Sequence, residues 1–221
     1  MAAPAWYAQG YAVWSGAGLA AAGGWIFWRG ARAWPGAFWR RCRGVAYVPG
    51  ELAGAHLTIV AGLAVLIAGG SLVAVEWGLR GFQSYGPPVL AGQLELQVTP
   101  ERLSAAWTDP FGRWTQSWSP PCPRLALEGE FVEWSRVAHT LGFRDRHRVA
   151  AGRLSCLPDA PPAGGERGAR FRPPDPTWEA LGRWERWVRV VRTERRESPA
   201  LRAKSGTWKL YVLPGGYVFS E

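Results

Sequence analysis

The chain is poor in several things at once. Its 26 basic residues include just two lysines, Lys204 and Lys209, and it has a single methionine and three cysteines in 221 residues. No C-x-x-C pair occurs, so neither a dithiol redox motif nor a zinc-ribbon pattern is present. No P-loop, dinucleotide-binding glycine pattern or G-x-S-x-G elbow occurs either. The most telling absence is charge: residues 1–28 contain no Asp, Glu, Lys or Arg, and neither does Leu57–Val75.

What is abundant is Trp (15), Gly (28) and Pro (18), with Ala and Arg, a bias typical of a GC-rich genome. The net charge of +9 invites a nucleic-acid reading. Its distribution opposes that reading. Five arginines, Arg29, Arg32, Arg40, Arg41 and Arg43, crowd one short stretch, the remainder are spread out, and no basic run or aromatic RNA-binding signature accompanies them. No nucleic-acid partner is expected.

The uncharged runs Tyr11–Trp28 and Leu57–Val75, 18 and 19 residues long, each match the ~20 residues a helix needs to cross a ~30 Å hydrocarbon core. The sequence therefore predicts transmembrane helices at about 10–28 and 57–77, forming a membrane anchor over 1–80. A cleaved signal peptide would carry its positive charge ahead of the apolar stretch, whereas here the arginines follow it. Trp6, Tyr7, Tyr11, Trp25, Trp28 and Trp77 fall near the span ends, where amphipathic rings prefer to sit. Small residues fill both runs, Gly16, Gly18, Ala20, Ala22, Gly23 and Gly24 in the first and Gly62, Ala68, Gly69, Gly70 and Ser71 in the second. They suit either a self-contained hairpin or docking to another membrane protein. His56 and Glu76 bracket the second run and read as interfacial, with Glu76 placed to pair with Arg80. The five arginines predict that the loop between spans is cytoplasmic, against only Glu51 of opposite sign. Both termini then lie outside the cytoplasm. In a bacterium this is an inner-membrane protein with a periplasmic C-terminal domain, and the lipid bilayer is its first partner.

Gly81–Pro88 reads as a linker, and 89–221 as an exported domain. Gln93–Val98 alternates in the two-residue period of a half-buried strand. Arg102–Trp107 and Arg113–Trp118 are further strands around the turn Asp109-Pro110-Phe111-Gly112. Leu125–Trp134 is a strand with a bulge at Gly129, Ser135–Leu141 a helical turn stopped by Gly142, and Phe143–Leu154 extended. The Pro- and Gly-rich 157–177 reads as a mobile loop. Asp175 is then an N-cap and Pro176 the first residue of a helix running to about Arg196. That helix would pack Trp178, Leu181, Trp184, Val188 and Val191 on the sheet. Thr207–Leu213 and Tyr217–Ser220 close the chain as a hairpin around Pro214-Gly215-Gly216. The predicted fold is two N-terminal membrane helices plus an α+β or mainly-β domain with one long amphipathic helix.

The stretch LEGEFVEWSRVAHTLGFRDRHRVAAGRL at 127–154, with the later Trp-rich helix and terminal hairpin, resembles a group of small two-span bacterial membrane proteins. These are often labelled cation or multidrug efflux proteins, without a defined activity. The resemblance implies an envelope protein and, as one reading, an accessory subunit of an efflux or transport system. It brings no catalytic motif with it.

Candidate chemistry is sparse. Cys122 and Cys156 flank the two best strands, either as a disulfide in an oxidising compartment or as two buried thiols, and Cys42 sits between Arg41 and Arg43. His139 and His147, with Glu133 and Asp145, match no metal-ligand spacing. No cofactor is expected. The most suggestive element is the 177–196 segment. There Trp178, Trp184 and Trp187 alternate with Arg183, Arg186 and Arg189, as in a helix that touches anionic lipid or a protein partner. The sequence thus predicts a membrane-anchored, non-enzymatic envelope protein whose exported domain binds lipid or another envelope protein.

Overall fold

The structure, a computed structural model, describes residues 10–44, 50–119, 124–155, 167–187 and 189–220. It divides into a helical unit that runs to Gly78 and takes in 140–143, and a β domain holding the rest.

The helical unit is a hairpin of α1 (Gly10–Arg43) and α2 (Glu51–Gly78). At 1.5 Å per residue they are about 51 and 42 Å long. The seam is built from small residues every seventh position. Gly16, Gly23, Gly30 and Ala37 are buried on α1, and Ala55, Gly62 and Gly69 on α2, with Glu76 taking the next place on the stripe. A seven-residue repeat keeps the two seams facing with a left-handed wrap. The backbones touch: a Cβ built on Gly62 would stand 2.3 Å from the Phe27 backbone N, one on Gly23 2.3 Å from Leu66 N, and one on Gly69 2.4 Å from Ala20 N. Gly18, Gly24 and Gly70 face open space, so only part of the small-residue content serves the seam. The bulky apolar side chains point outward, among them Trp14, Trp25, Leu57, Val60 and Ile67.

Arg29, Arg32, Arg40, Arg41 and Arg43 do not form a loop, as the sequence predicted, but occupy the last four turns of α1. Ala and Arg are good helix formers, and the cations at Arg40, Arg41 and Arg43 favour the negative end of the helix dipole. The polar contacts of the hairpin gather here. Arg40 forms a two-pronged pair with Glu51. Trp34 donates its indole N–H to His56 Nε2 at 3.0 Å, while His56 Nδ1 lies 2.9 Å from Leu52 O. That pair of bonds fixes the tautomer, with the proton on Nδ1. Of the described helices one, α2, is long and apolar enough to cross a membrane. α1 falls short because its outward positions are Trp, Gly, Ala and Ser rather than Leu, Ile and Val.

The segment after α2 forms a 3-10 turn (Leu79–Gly81) and a short strand β1 (Gln83–Ser84); within the expected spacer 81–88, Phe82 and Tyr85 are buried, as is Leu79 ahead of it. Two guanidiniums hold this segment by its backbone. Arg146 Nη1 donates to Leu79 O at 3.0 Å and Arg172 Nη1 to Gly81 O at 3.1 Å.

Two antiparallel sheets follow. One has the order β1-β6-β5-β8, where β5 is Arg124–Trp134, β6 is Arg146–Ser155 and β8 is Val191–Glu197. β7 (Arg167–Arg170) adds to β6, and β9 (Leu201–Arg202) to β5. The other has the order β11-β10-β2-β3-β4: Gly216–Ser220, Gly206–Leu213, Val89–Val98, Leu103–Asp109 and Gly112–Trp118. Leu125, Leu127, Phe131, Val149 and Leu154 from the first sheet share one core with Leu94, Leu96, Leu103, Trp107, Leu210 and Tyr217 from the second. The register of β5 on β6 slips between Glu128 and Gly129, where the sequence placed a bulge. Gly129 is required there because a Cβ would lie 1.9 Å from the Tyr217 hydroxyl. A short helix α3 (Arg136–Thr140) links β5 to β6, and Gly142 ends that turn at φ 95°.

Two further sequence expectations fail. Part of the expected mobile loop is β7, paired with β6 from Ala151↔Arg170 to Leu154↔Arg167. The long helix to Arg196 stops early: α4 is Pro176–Glu185, and Val191–Glu197 is the edge strand β8, paired with β5. Val190, Val191 and Thr193 are β-branched and favour an extended chain, and Val191 keeps the three- and four-residue spacing of the helix face without belonging to it. Val191 is therefore buried from a strand, not a helix, and Val188 lies outside the described residues.

Candidate functional site

The outer face of the β5–β6–β8 sheet carries the chemistry. Asp175 caps α4 by accepting from the backbone N of Thr177 (2.9 Å) and Trp178 (3.1 Å) through Oδ1. Its other oxygen faces Arg148 at 3.3 Å. Arg148 also binds Glu130, through Nη2 at 2.6 Å and Nε at 2.7 Å, and donates to Pro173 O at 3.3 Å. Both Arg148 and Glu130 are nearly inaccessible, 7% and 2% exposed. α4 lies over this pair. Leu181 is buried, and Trp178, half-buried, donates its indole N–H to Phe131 O at 3.1 Å.

The predicted interaction residues part company beyond this point. Trp184 is 54% exposed and Trp187 87%, so the three tryptophans do not form one packed face. Arg183 lies in the last turn of α4, Arg186 caps it, and Arg189 lies in the turn before β8; all three are exposed. Val190 (37%) and Val137 on α3 (67%) are exposed as well, and Ser135 N, at the head of α3, bonds Val190 O at 2.8 Å. Between these segments runs an open groove of about 460 Å³, lined by Glu133, Ser135, Glu185, Arg189, Val190 and Arg192 among others. Glu185 is engaged internally, accepting from Thr193 N (2.9 Å) and Oγ1 (3.0 Å).

The histidines do not meet. His139 is half-exposed and pairs with Asp145 at 3.0 Å. His147 lies in the core, 1% exposed, among Tyr85, Phe131 and Tyr217, with Nδ1 3.2 Å from the Tyr217 hydroxyl. Burial, helped by the Arg172 charge, depresses its pKa to about 3. Burial likewise pushes both tyrosines up, reinforced for Tyr85 by Glu133 and Asp145. Glu133 accepts from Tyr85 (3.2 Å) and pairs with Arg196 (2.7 Å). Arg172 is pulled down by burial, against which the Asp109 carboxylate acts, and lies 4.0 Å from the Trp114 ring centroid. Among the described residues no cluster of three or more His, Cys, Asp or Glu is arranged to hold a metal. Cys122 and Cys156 lie outside the described residues; Cys42 is exposed near the end of α1.

Sequence reading missed the Arg153, Arg170 and Arg195 cluster around Glu128, described below. No local pattern signals it, because its arginines come from three different strands. No protein-family model, curated protein or solved structure matches this chain.

Proposed function

We propose that this is a bacterial envelope protein anchored by a two-span hairpin, acting by binding rather than catalysis, with the α4 end of its periplasmic domain seated on an anionic bilayer surface. The register of the hairpin supports two spans. Gly23 lies against Gly62 and Leu66, and Phe27 against Gly62, which brings the two uncharged runs level with each other. All charges of the hairpin tip then fall beyond the same end. The observation that carries the binding reading is the pair Trp184 and Trp187, largely exposed beside Arg183, Arg186 and Arg189. An indole costs free energy in water and gains it at a headgroup boundary, and guanidiniums add attraction to anionic lipid. The buried ionisable groups are engaged with internal partners, which suits a scaffold.

Two results are expected. Reporter fusions after Glu221 should be active as a periplasmic enzyme and silent as a cytoplasmic one; the reverse would overturn the orientation. Hydrogen exchange over 183–190 should slow several-fold when the full chain moves from phosphatidylcholine nanodiscs to discs containing phosphatidylglycerol. The protection should vanish in Trp184→Ser/Trp187→Ser. Equal exchange in both lipids would remove the lipid reading.

A further inference from the structure

We infer that Arg153, Arg170 and Arg195 form a binding site for a phosphate-type oxyanion on the outer face of the β5–β6–β8 sheet. The site is independent of the Trp184 and Trp187 surface. The three guanidiniums line one half-enclosed cleft of about 200 Å³, together with Glu128, Ala151 and Gly152.

Strand register explains the cleft. Glu128 on β5 stands opposite Ala151 on β6, which stands opposite Arg170 on β7. The middle of that row carries only a methyl group, and Gly152 adds no side chain, so the floor is low. Arg153 rises from β6 two residues on, and Arg195 from β8.

Two of the arginines are already fixed in place. Glu128, itself 13% exposed, takes Arg153 Nη2 at 3.1 Å and Arg195 Nε at 3.4 Å. Arg153 Nη1 is tied to Glu197 at 2.7 Å, and Arg195 lies 5.0 Å from the Trp178 ring centroid, with Nη2 3.6 Å from Glu130. The cleft lining itself carries three cations and one carboxylate, Glu128, while Glu197 and Glu130 hold Arg153 and Arg195 from outside that lining. Guanidinium forks match the spacing of phosphate oxygens and stay charged at any physiological pH. Pre-ordering them removes much of the entropy cost of closing on a ligand. The volume fits inorganic phosphate or one phosphomonoester group, such as a lipid headgroup.

The test is calorimetry on the full chain in non-ionic detergent. Inorganic phosphate and a water-soluble short-chain phosphatidic acid are titrated separately, with chloride holding ionic strength constant. Saturable one-site binding of either ligand is expected. It should weaken roughly tenfold in Arg195→Gln and in Arg170→Gln, the loss of one charge-assisted contact. Arg113→Gln, an exposed guanidinium of the other sheet paired with Glu95, should leave it unchanged. Arg170→Gln removes an exposed side chain and leaves the Glu128 pairs intact, so the comparison survives if Arg195→Gln disturbs the fold. Binding of both ligands identifies the free oxyanion as sufficient. Binding of the phosphatidic acid alone, with the same sensitivity, identifies a lipid headgroup as the source. No saturable binding of either, or binding indifferent to both variants, overturns the site.

Discussion

Taking the full chain from pH 7 to pH 4 should cost the β domain about 3 kcal/mol through His147 alone. The folded pKa is about 3, far below the ordinary value of 6.5, because the imidazole is buried between two sheets. In this window the unfolded chain binds a proton that the folded chain refuses. The stabilisation is complete above the unfolded value and is lost as pH falls toward the folded one. Urea unfolding in non-ionic detergent at stepped pH gives the measurement. In His147→Gln, whose amide oxygen can still accept from the Tyr217 hydroxyl, this component should disappear and the profile should flatten between pH 6.5 and 4. Parallel profiles for the two proteins would show that His147 is protonated in the fold. Carboxylate titration at lower pH affects both proteins alike and drops out of the comparison.

Arg148→Leu should be the most damaging single change in the outer layer, by about 3–5 kcal/mol. It strands the Glu130 carboxylate, 2% exposed, with Arg195 Nη2 at 3.6 Å as its remaining cation. It also frees the Asp175 oxygen that does not cap α4, and removes the guanidinium resting 4.8 Å from the Phe82 ring centroid. The ion pair as a unit is worth much less than this, because desolvation offsets most of its Coulomb gain. Glu130→Leu/Arg148→Leu should therefore recover most of the loss. Equilibrium unfolding of the four proteins in this cycle decides the matter. A single-variant loss under about 1 kcal/mol, or a double variant worse than Arg148→Leu, would contradict the account.

Where local patterns sufficed, the sequence was legible. The alternation of Leu94, Leu96 and Val98, the Asp109–Gly112 turn, the Gly129 bulge and the Asp175–Pro176 cap are each set by a few neighbouring residues. The failures have a common origin in long-range pairing. Val191–Glu197 could be read as helix continuation because Val191 keeps the three- and four-residue spacing of Trp178, Leu181, Trp184 and Val188; only β5, some 60 residues earlier, makes it a strand. β7 was hidden for the same reason, since Arg167–Arg170 has no apolar alternation and owes its conformation to β6. The spacer at 81–88 looked like one from its Gly and Pro content. Phe82 and Tyr85 tie it down, through a core that the sequence does not display. The arginine cleft required four strands in register before its members became neighbours.

The glycine seam of the hairpin has a genetic consequence. Any missense change in the first two bases of a glycine codon yields Ala, Val, Asp, Glu, Ser, Cys, Arg or Trp, and every one of these adds at least a Cβ. At Gly23, Gly62 and Gly69 that atom would fall within 2.4 Å of the opposite backbone, so no single-nucleotide missense step at these codons leads to a residue the seam can hold without parting. The outward Trp14, Leu57, Val60 and Ile67 face no such limit. These three positions tolerate no such step, and drift in the hairpin is channelled to its outward-facing surface.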